Sequence, residues 1–242
     1  LLDRKIGART LGLLSVLGLL LFQGALRAAE AEPQLPRELT ASSVTAMPIY
    51  ITEVYPDDRS HHGVIEGAGG ADLFEFVEIV NMSEEAVDFN ERYALYYVFG
   101  AYSTELSVRS GEDFDAKVIL PAQSTAVLWV KRSSSGITGA ASRLTKSDFR
   151  AYHQLEAQVP VFQLEGQDGL HHADRGLVLT ARGDSTVVSE VFYEAGDVQR
   201  GGSIHVKPPH KGNRMLLLEQ RSAPSPGALL PEQQLFPGSA PE

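Results

Sequence analysis

The sequence predicts an all-β fold, a β-sandwich with one inserted helix. Three features carry this: about eight to ten short runs rich in β-branched and aromatic residues, a single segment with helical spacing, and no alternation of strand with long helix. The 242 residues suit one domain with tails, and 43% hydrophobic against 21% charged residues marks most of the chain as globular. There is no cysteine, which excludes a disulfide framework, a thiolate nucleophile, Cys-ligated zinc, iron–sulfur clusters and a lipoprotein-type cysteine anchor.

The amino-terminal segment reads as an address. Arg4, Lys5 and Arg9 precede the apolar run Leu11–Phe22, and small residues then lead to Ala29-Glu30-Ala31. That order predicts a secretory signal peptide over 1–31, cleaved after Ala31. A helix of about twelve residues spans roughly 18 Å against a hydrocarbon core of about 30 Å, so no stable membrane span is expected. Residues 32–47, with Pro33, Pro36, Ser42 and Ser43, read as a linker.

Strand chemistry begins at Ile49–Tyr55 and returns at Phe74–Val80, and these runs end in the turn formers Pro56-Asp57-Asp58 and Asn81-Met82-Ser83. Tyr93–Phe99 stops at Gly100. Lys117–Leu120 and Thr125–Val130 flank Pro121-Ala122-Gln123-Ser124 and read as two strands joined by a turn that proline initiates. The helix follows, with Ser147 as cap and Phe149, Tyr152 and Leu155 recurring on one side of Asp148–Leu155. Gly176–Thr180 and Thr186–Tyr193 flank Arg182-Gly183-Asp184-Ser185, a second hairpin signal. Short strands at Ser203–Val206 and Arg214–Glu219 complete the set, and Pro231, Pro237 and Pro241 without periodicity predict an extended Pro-rich tail over 229–242.

The stretch Phe74-Glu75-Phe76-Val77-Glu78-Ile79-Val80-Asn81-Met82-Ser83-Glu84-Glu85-Ala86-Val87-Asp88-Phe89 resembles the strand and turn that mark the lamin tail domain family. The Ile49–Val54 strand, the step Val118-Ile119-Leu120-Pro121-Ala122-Gln123-Ser124 and the closing Ser222-Ala223-Pro224-Ser225-Pro226-Gly227-Ala228 stand in that family's order, so the resemblance covers 48–228. It looks closest to exported bacterial members, in which such a domain often accompanies a nuclease or phosphoesterase domain. The resemblance implies an immunoglobulin-like β-sandwich and a role in binding or attachment. Two positions depart from the pattern: Tyr93 stands where a tryptophan is common, and 133–160 form a long insertion. No heptad-bearing rod precedes the domain, so a nuclear lamin is not implied.

The formal charge is −10, and since residues 1–31 carry +2, the rest carries −12. A phosphate backbone is repelled by such a surface, and no nucleic-acid partner is expected. Glu53, Glu75 and Glu78 with Asp57, Asp58 and Asp72 form the densest acidic set, oxygen ligands of the kind that suit Ca²⁺ or Mg²⁺. The odd separation of Glu75 and Glu78 puts them on opposite faces of an ideal strand, so solvated or hydrogen-bonded glutamates are the plainer expectation. The single glycine run Gly67–Asp72 reads as a loop. Six of seven histidines fall as His61-His62, His171-His172 and His205 with His210, which invites zinc, but adjacent strand residues diverge and solvated loop histidines are expected. Arg182-Gly183-Asp184 matches an adhesion tripeptide and is first a turn requirement. Tyr93, Tyr96, Tyr97 and Phe99 read as core on one side and a half-covered surface on the other.

There is no G-x-S-x-G, S-x-x-K, H-E-x-x-H or P-loop, and catalysis has no support in the sequence. No catalytic, cofactor-binding or metal residue is assigned, and no cofactor is implied. The reading is an exported, non-catalytic lamin-tail-like interaction or attachment module, extracellular or on the cell envelope, with a protein or cell-envelope component as partner. The alternative is the N-terminal accessory domain of an exported metallophosphoesterase or nuclease whose catalytic domain lies beyond residue 242.

Overall fold

A computed structural model of the chain describes residues 48–58, 72–111, 116–131 and 143–234. The expected signal peptide and linker, His61-His62 and most of the glycine run lie outside the described residues. The elements run β1 (Ile49–Tyr55), β2 (Phe76–Asn81), β3 (Val87–Asp88), the one-turn helix α1 (Phe89–Arg92), β4 (Tyr93–Phe99) and β5 (Tyr102–Arg109). They continue with β6 (Ile119–Leu120), β7 (Ser124–Val130), α2 (Lys146–His153), β8 (Val161–Glu165), β9 (Arg175–Ala181), β10 (Val187–Tyr193), β11 (Ser203–Lys207), β12 (Leu216–Ser222) and a 3₁₀ turn at Pro231–Gln233.

Ten strands form one hydrogen-bonded order, β10-β9-β4-β5-β8-β7-β2-β1-β11-β12, antiparallel throughout except for the parallel pair β7–β8. The order doubles back on itself. Leu95, Tyr97, Leu106, Leu177 and Val191 from one half share a buried core with Ile51, Val54, Val77, Ile79, Leu128 and Ile204 from the other. Opposite the β5–β8 seam the halves meet again, where Glu190 N–H donates to Asn213 O and Met215 N–H donates to Glu190 O, both at 2.8 Å. The expected all-β sandwich with an inserted helix is the observed fold.

Four details differ from the sequence expectation. The strands at β3, β5 and β8 were not expected, and β6 pairs with β3 instead of β7, because the turn after Leu120 carries the chain from the small sheet into the large one. Thr145, not Ser147, caps α2: its side chain accepts from Asp148 N–H, and the Asp148 carboxylate accepts in return from Thr145 N–H at 2.7 Å, a reciprocal box that Ser147 cannot form. The helix ends at His153, with Gln154 at φ +53°, so Leu155 packs from beyond the helix. Finally, the described part of the tail is not extended linker: Gln233 is buried and donates from Nε2 to Thr52 O at 2.7 Å and Val206 O at 3.0 Å.

The inserted helix has a clear packing role. Tyr55, Phe76, Val127, Trp129 and Val161 lie on the outer face of the β8-β7-β2-β1 half, and Phe149, Leu144 and Val159, with Tyr152 and Leu155, cover them as a second core. Trp129 Nε1–H donates to Leu73 O at 2.8 Å, which satisfies the indole in this enclosed position.

Candidate functional site

Glu53, Glu75 and Glu78 are hydrogen-bonded, one of the two states expected of them, and enclosed instead of solvated. A register shift between Ile51 and Glu53 turns Glu53 opposite Glu78 on adjacent strands, and both are 1% exposed. The cover is the segment 222–228, whose backbone donors serve the acids: Ser225 N–H reaches Glu53 Oε1 at 3.1 Å and Gly227 N–H reaches Glu78 Oε2 at 2.5 Å. Thr52 Oγ1–H donates to Glu78 Oε1 at 2.7 Å. Burial, and after it the charge of Glu53, raises the Glu78 carboxyl from the ordinary 4.5 to about 8. His205 lies in the strand expected at Ser203–Val206 but, against the expectation of solvated histidines, is 2% exposed; its Nδ1 lies 2.7 Å from Ser222 Oγ and its Nε2 3.0 Å from Ser225 Oγ. Glu53 Oε1 approaches the same Nε2, at 3.5 Å. The network is enclosed beneath the 222–228 segment, and its acid, imidazole and hydroxyls tie that segment to β1 and β11.

Glu75 points the other way, as its odd separation from Glu78 requires, and accepts from Leu170 N–H at 2.9 Å. It belongs to a rigid end of the sandwich. There His171 N–H donates to Tyr97 Oη at 2.7 Å, and Tyr193 Oη–H donates to His171 O at 3.0 Å. Burial pushes both phenols above the ordinary tyrosine value. Asp58 accepts from Leu73 N–H at 2.7 Å and from Phe74 N–H, which clamps the end of β1 to the approach to β2. Between these anchors Asp57, Asp72 and His172 come together, each offering a ligand-type atom within 4.8 Å of the others. His172 Nε2 lies 3.3 Å from Asp72 Oδ2, and its Nδ1 3.9 Å from Asp57 Oδ2. Arg200 Nε lies 3.7 Å from Asp57 Oδ1.

His153 carried no expectation, yet it sits in a ring of Tyr55, Phe74, Phe76, Phe149 and Tyr152 and donates from Nε2 to Phe74 O at 2.9 Å. Burial holds its pKa below the ordinary histidine value. Its position in the apolar stripe of α2 is the signal that places it in the core. His210 is exposed.

The remaining candidates resolve into structure or surface. Arg182 donates to Asn90 O at 2.8 Å in α1 and to Glu105 Oε1 at 2.5 Å in β5, and Asp184 accepts from Thr186 N–H at 2.9 Å within its own hairpin, so both charged residues of the tripeptide are engaged. In β4, Tyr97 is core, Tyr93 and Tyr96 are half-buried, and Phe99 is exposed against Tyr102 and beneath Arg175. At the end of the strand order β12 exposes Leu216 and Leu217, 42% and 51% accessible. Among the described residues no helix is long and apolar enough to cross a membrane.

No protein-family model matches the chain. It is similar to the uncharacterized protein YvnB of Bacillus subtilis (strain 168), 25% identical over 191 residues that cover 76% of this chain. The match spans 13% of that relative's length.

Proposed function

We propose that the chain is an exported, lamin-tail-like module without catalysis of its own, which holds a protein of the cell envelope. The observation that supports this best is β12, the terminal strand of the order, with two leucines left open on it. Natural sheets blunt such edges with charge, as Glu219 and Arg221 do in the second half of β12, and the uncharged first half leaves an apolar stretch that accepts an extended segment of a partner as a further strand. The acid and histidine groups best suited to proton transfer, Glu53, Glu78 and His205, are sealed beneath the 222–228 strap and take part in holding it. The test is retention of purified 32–242 on envelope proteins of the source cells, beside assays with phosphomonoester and phosphodiester substrates. Binding is expected in wild type and is lost in the double variant Leu216→Lys/Leu217→Lys at unchanged circular dichroism, and no substrate is turned over. Hydrolysis by the pure chain overturns the reading.

A second reading is favoured by the length of the relative. Because the match spans 13% of it, most of that protein lies outside the shared region. The chain is then the accessory domain of a longer exported phosphoesterase or nuclease. Coding sequence past residue 242 distinguishes the two: clusters of Asp, His and Asn support the accessory domain, and a stop codon ends it.

A further inference from the structure

We propose that Asp57, Asp72 and His172 bind a divalent transition-metal ion at the end of the sandwich where β1 leaves and β2 begins. The first support is the state of Asp57. The residue is 8% exposed, and its Oδ1 is fully enclosed with no hydrogen-bond partner among the described residues. Its charged neighbours stand at 3.7 Å (Arg200) and 3.9 Å (His172), beyond the 2.7–2.9 Å typical of charge-assisted bonds. A buried carboxylate left that way is costly, and an ion within reach of it removes the cost.

The second support is geometric. Two ligands of a tetrahedral ion with bonds of about 2.1 Å stand about 3.4 Å apart. His172 Nε2 and Asp72 Oδ2 are 3.3 Å apart, and all three ligand atoms fall within 4.8 Å of one another. Their carriers are held in place independently of any ion. Asp57 O accepts from Gly201 N–H at 2.6 Å, Asp72 precedes the clamp made by Asp58, and the backbone of Leu170 and His171, just before His172, is tied to Glu75, Tyr97 and Tyr193. A cavity of about 340 Å³ bordered by Asp72, Gln167, Asp168 and His172 gives the ion an approach and room for water in its open position.

The donor set decides the class of ion. Two carboxylate oxygens and one imidazole nitrogen suit Zn²⁺ or Mn²⁺ better than Ca²⁺, which takes six to eight oxygens, and among these Zn²⁺ binds nitrogen ligands more tightly. With three protein ligands and an open fourth position, the ion would tie the loop before β9 to the ends of β1 and β2. It would thus brace the two halves of the sandwich at this end.

The probe is Zn²⁺ added to metal-stripped full-length chain, read by melting temperature and by calorimetric titration, with Ca²⁺ in parallel. Saturable one-to-one binding and a raised melting temperature are expected with Zn²⁺, since an ion that binds only the native state stabilises it. His172→Ala, at a half-exposed position that the fold tolerates, and Asp72→Asn each weaken binding by at least about tenfold, the lower end of what loss of even an outer partner costs. His61→Ala/His62→Ala leaves it unchanged. Binding that survives both His172→Ala and Asp72→Asn overturns the assignment, as does binding abolished by His61→Ala/His62→Ala. A response to Ca²⁺ alone, or none to either ion, overturns it equally and leaves His172 as an imidazole wedged between two carboxylates. None of these readouts depends on the partner of β12, so failure here and failure of the proposed function are separate results.

Discussion

Glu78 keeps a proton that a surface glutamate would lose, and stability should record it. Burial and the neighbouring Glu53 raise its folded value to about 8, against about 4.5 when unfolded. The native state therefore binds the proton more tightly than the unfolded chain. The resulting stabilisation is complete below about 4.5, declines as pH rises, and is gone above about 8. Glu78→Gln removes the titration while keeping groups that can meet Thr52 Oγ1 and Gly227 N–H. Urea midpoints from pH 5 to 9 should show wild type losing ground steadily against Glu78→Gln and levelling above about pH 8; a constant difference across that range would refute the buried proton. The sequence displayed Glu53 and Glu78 as neighbours in an acidic set but not what covers them. Ser225 lies 172 positions from Glu53, and no local pattern links such distant residues.

At the scale of elements, β9 and β10 were legible because apolar alternation on both sides of a Gly-Asp turn marks a hairpin. One glycine in that hairpin carries a packing duty: Gly176 pairs with Phe192, and a Cβ there would stand 2.5 Å from the ring. The ring is held against the strand by Arg214, whose guanidinium lies 4.7 Å from its centroid. Gly176→Ala should therefore cost about 2 kcal/mol, typical of an overpacked site, and chemical denaturation is the check. A cost near zero would mean that the ring slides freely under Arg214. The strands β5 and β8 escaped sequence reading for opposite reasons. In β5 only Leu106 and Val108 are buried, while Ser103, Thr104, Glu105 and Ser107 break any apolar run. β8 is five residues long, follows Pro160, and gains its place by pairing with β7 and β5 across a seam that only the whole fold creates. The metal trio shares that fate: Asp57 and Asp72 stood in the acidic set and His172 in a histidine pair, but only the packing of β1, β2 and the loop before β9 unites them.

Over the whole molecule, the described chain ends by returning to its first strand. Gln233 Nε2–H groups reach Thr52 O, at the bulge of β1, and Val206 O in β11, while Tyr50 Oη–H donates to the Gln233 carbonyl at 2.7 Å. Leu230 N–H donates to Gln233 Oε1 at 2.7 Å, so the side chain is fixed from both ends. The domain thus extends past Ala228, and residues 229–234, the described part of the tail that composition marked as linker, plug the β1–β11 junction. A register shift frees a carbonyl from the ladder, and a buried carbonyl without a donor costs about 1–3 kcal/mol. Gln233→Ala leaves two such carbonyls and should cost about 3 kcal/mol, lowering the melting temperature by on the order of 10 °C in a domain of this size. Gln234→Ala, one residue on and exposed, should change it little. Thermal melts of the two variants side by side decide the point. If both fall equally the residues act only through the turn they share, and if neither falls the 3₁₀ turn is a passenger on a sandwich already closed without it.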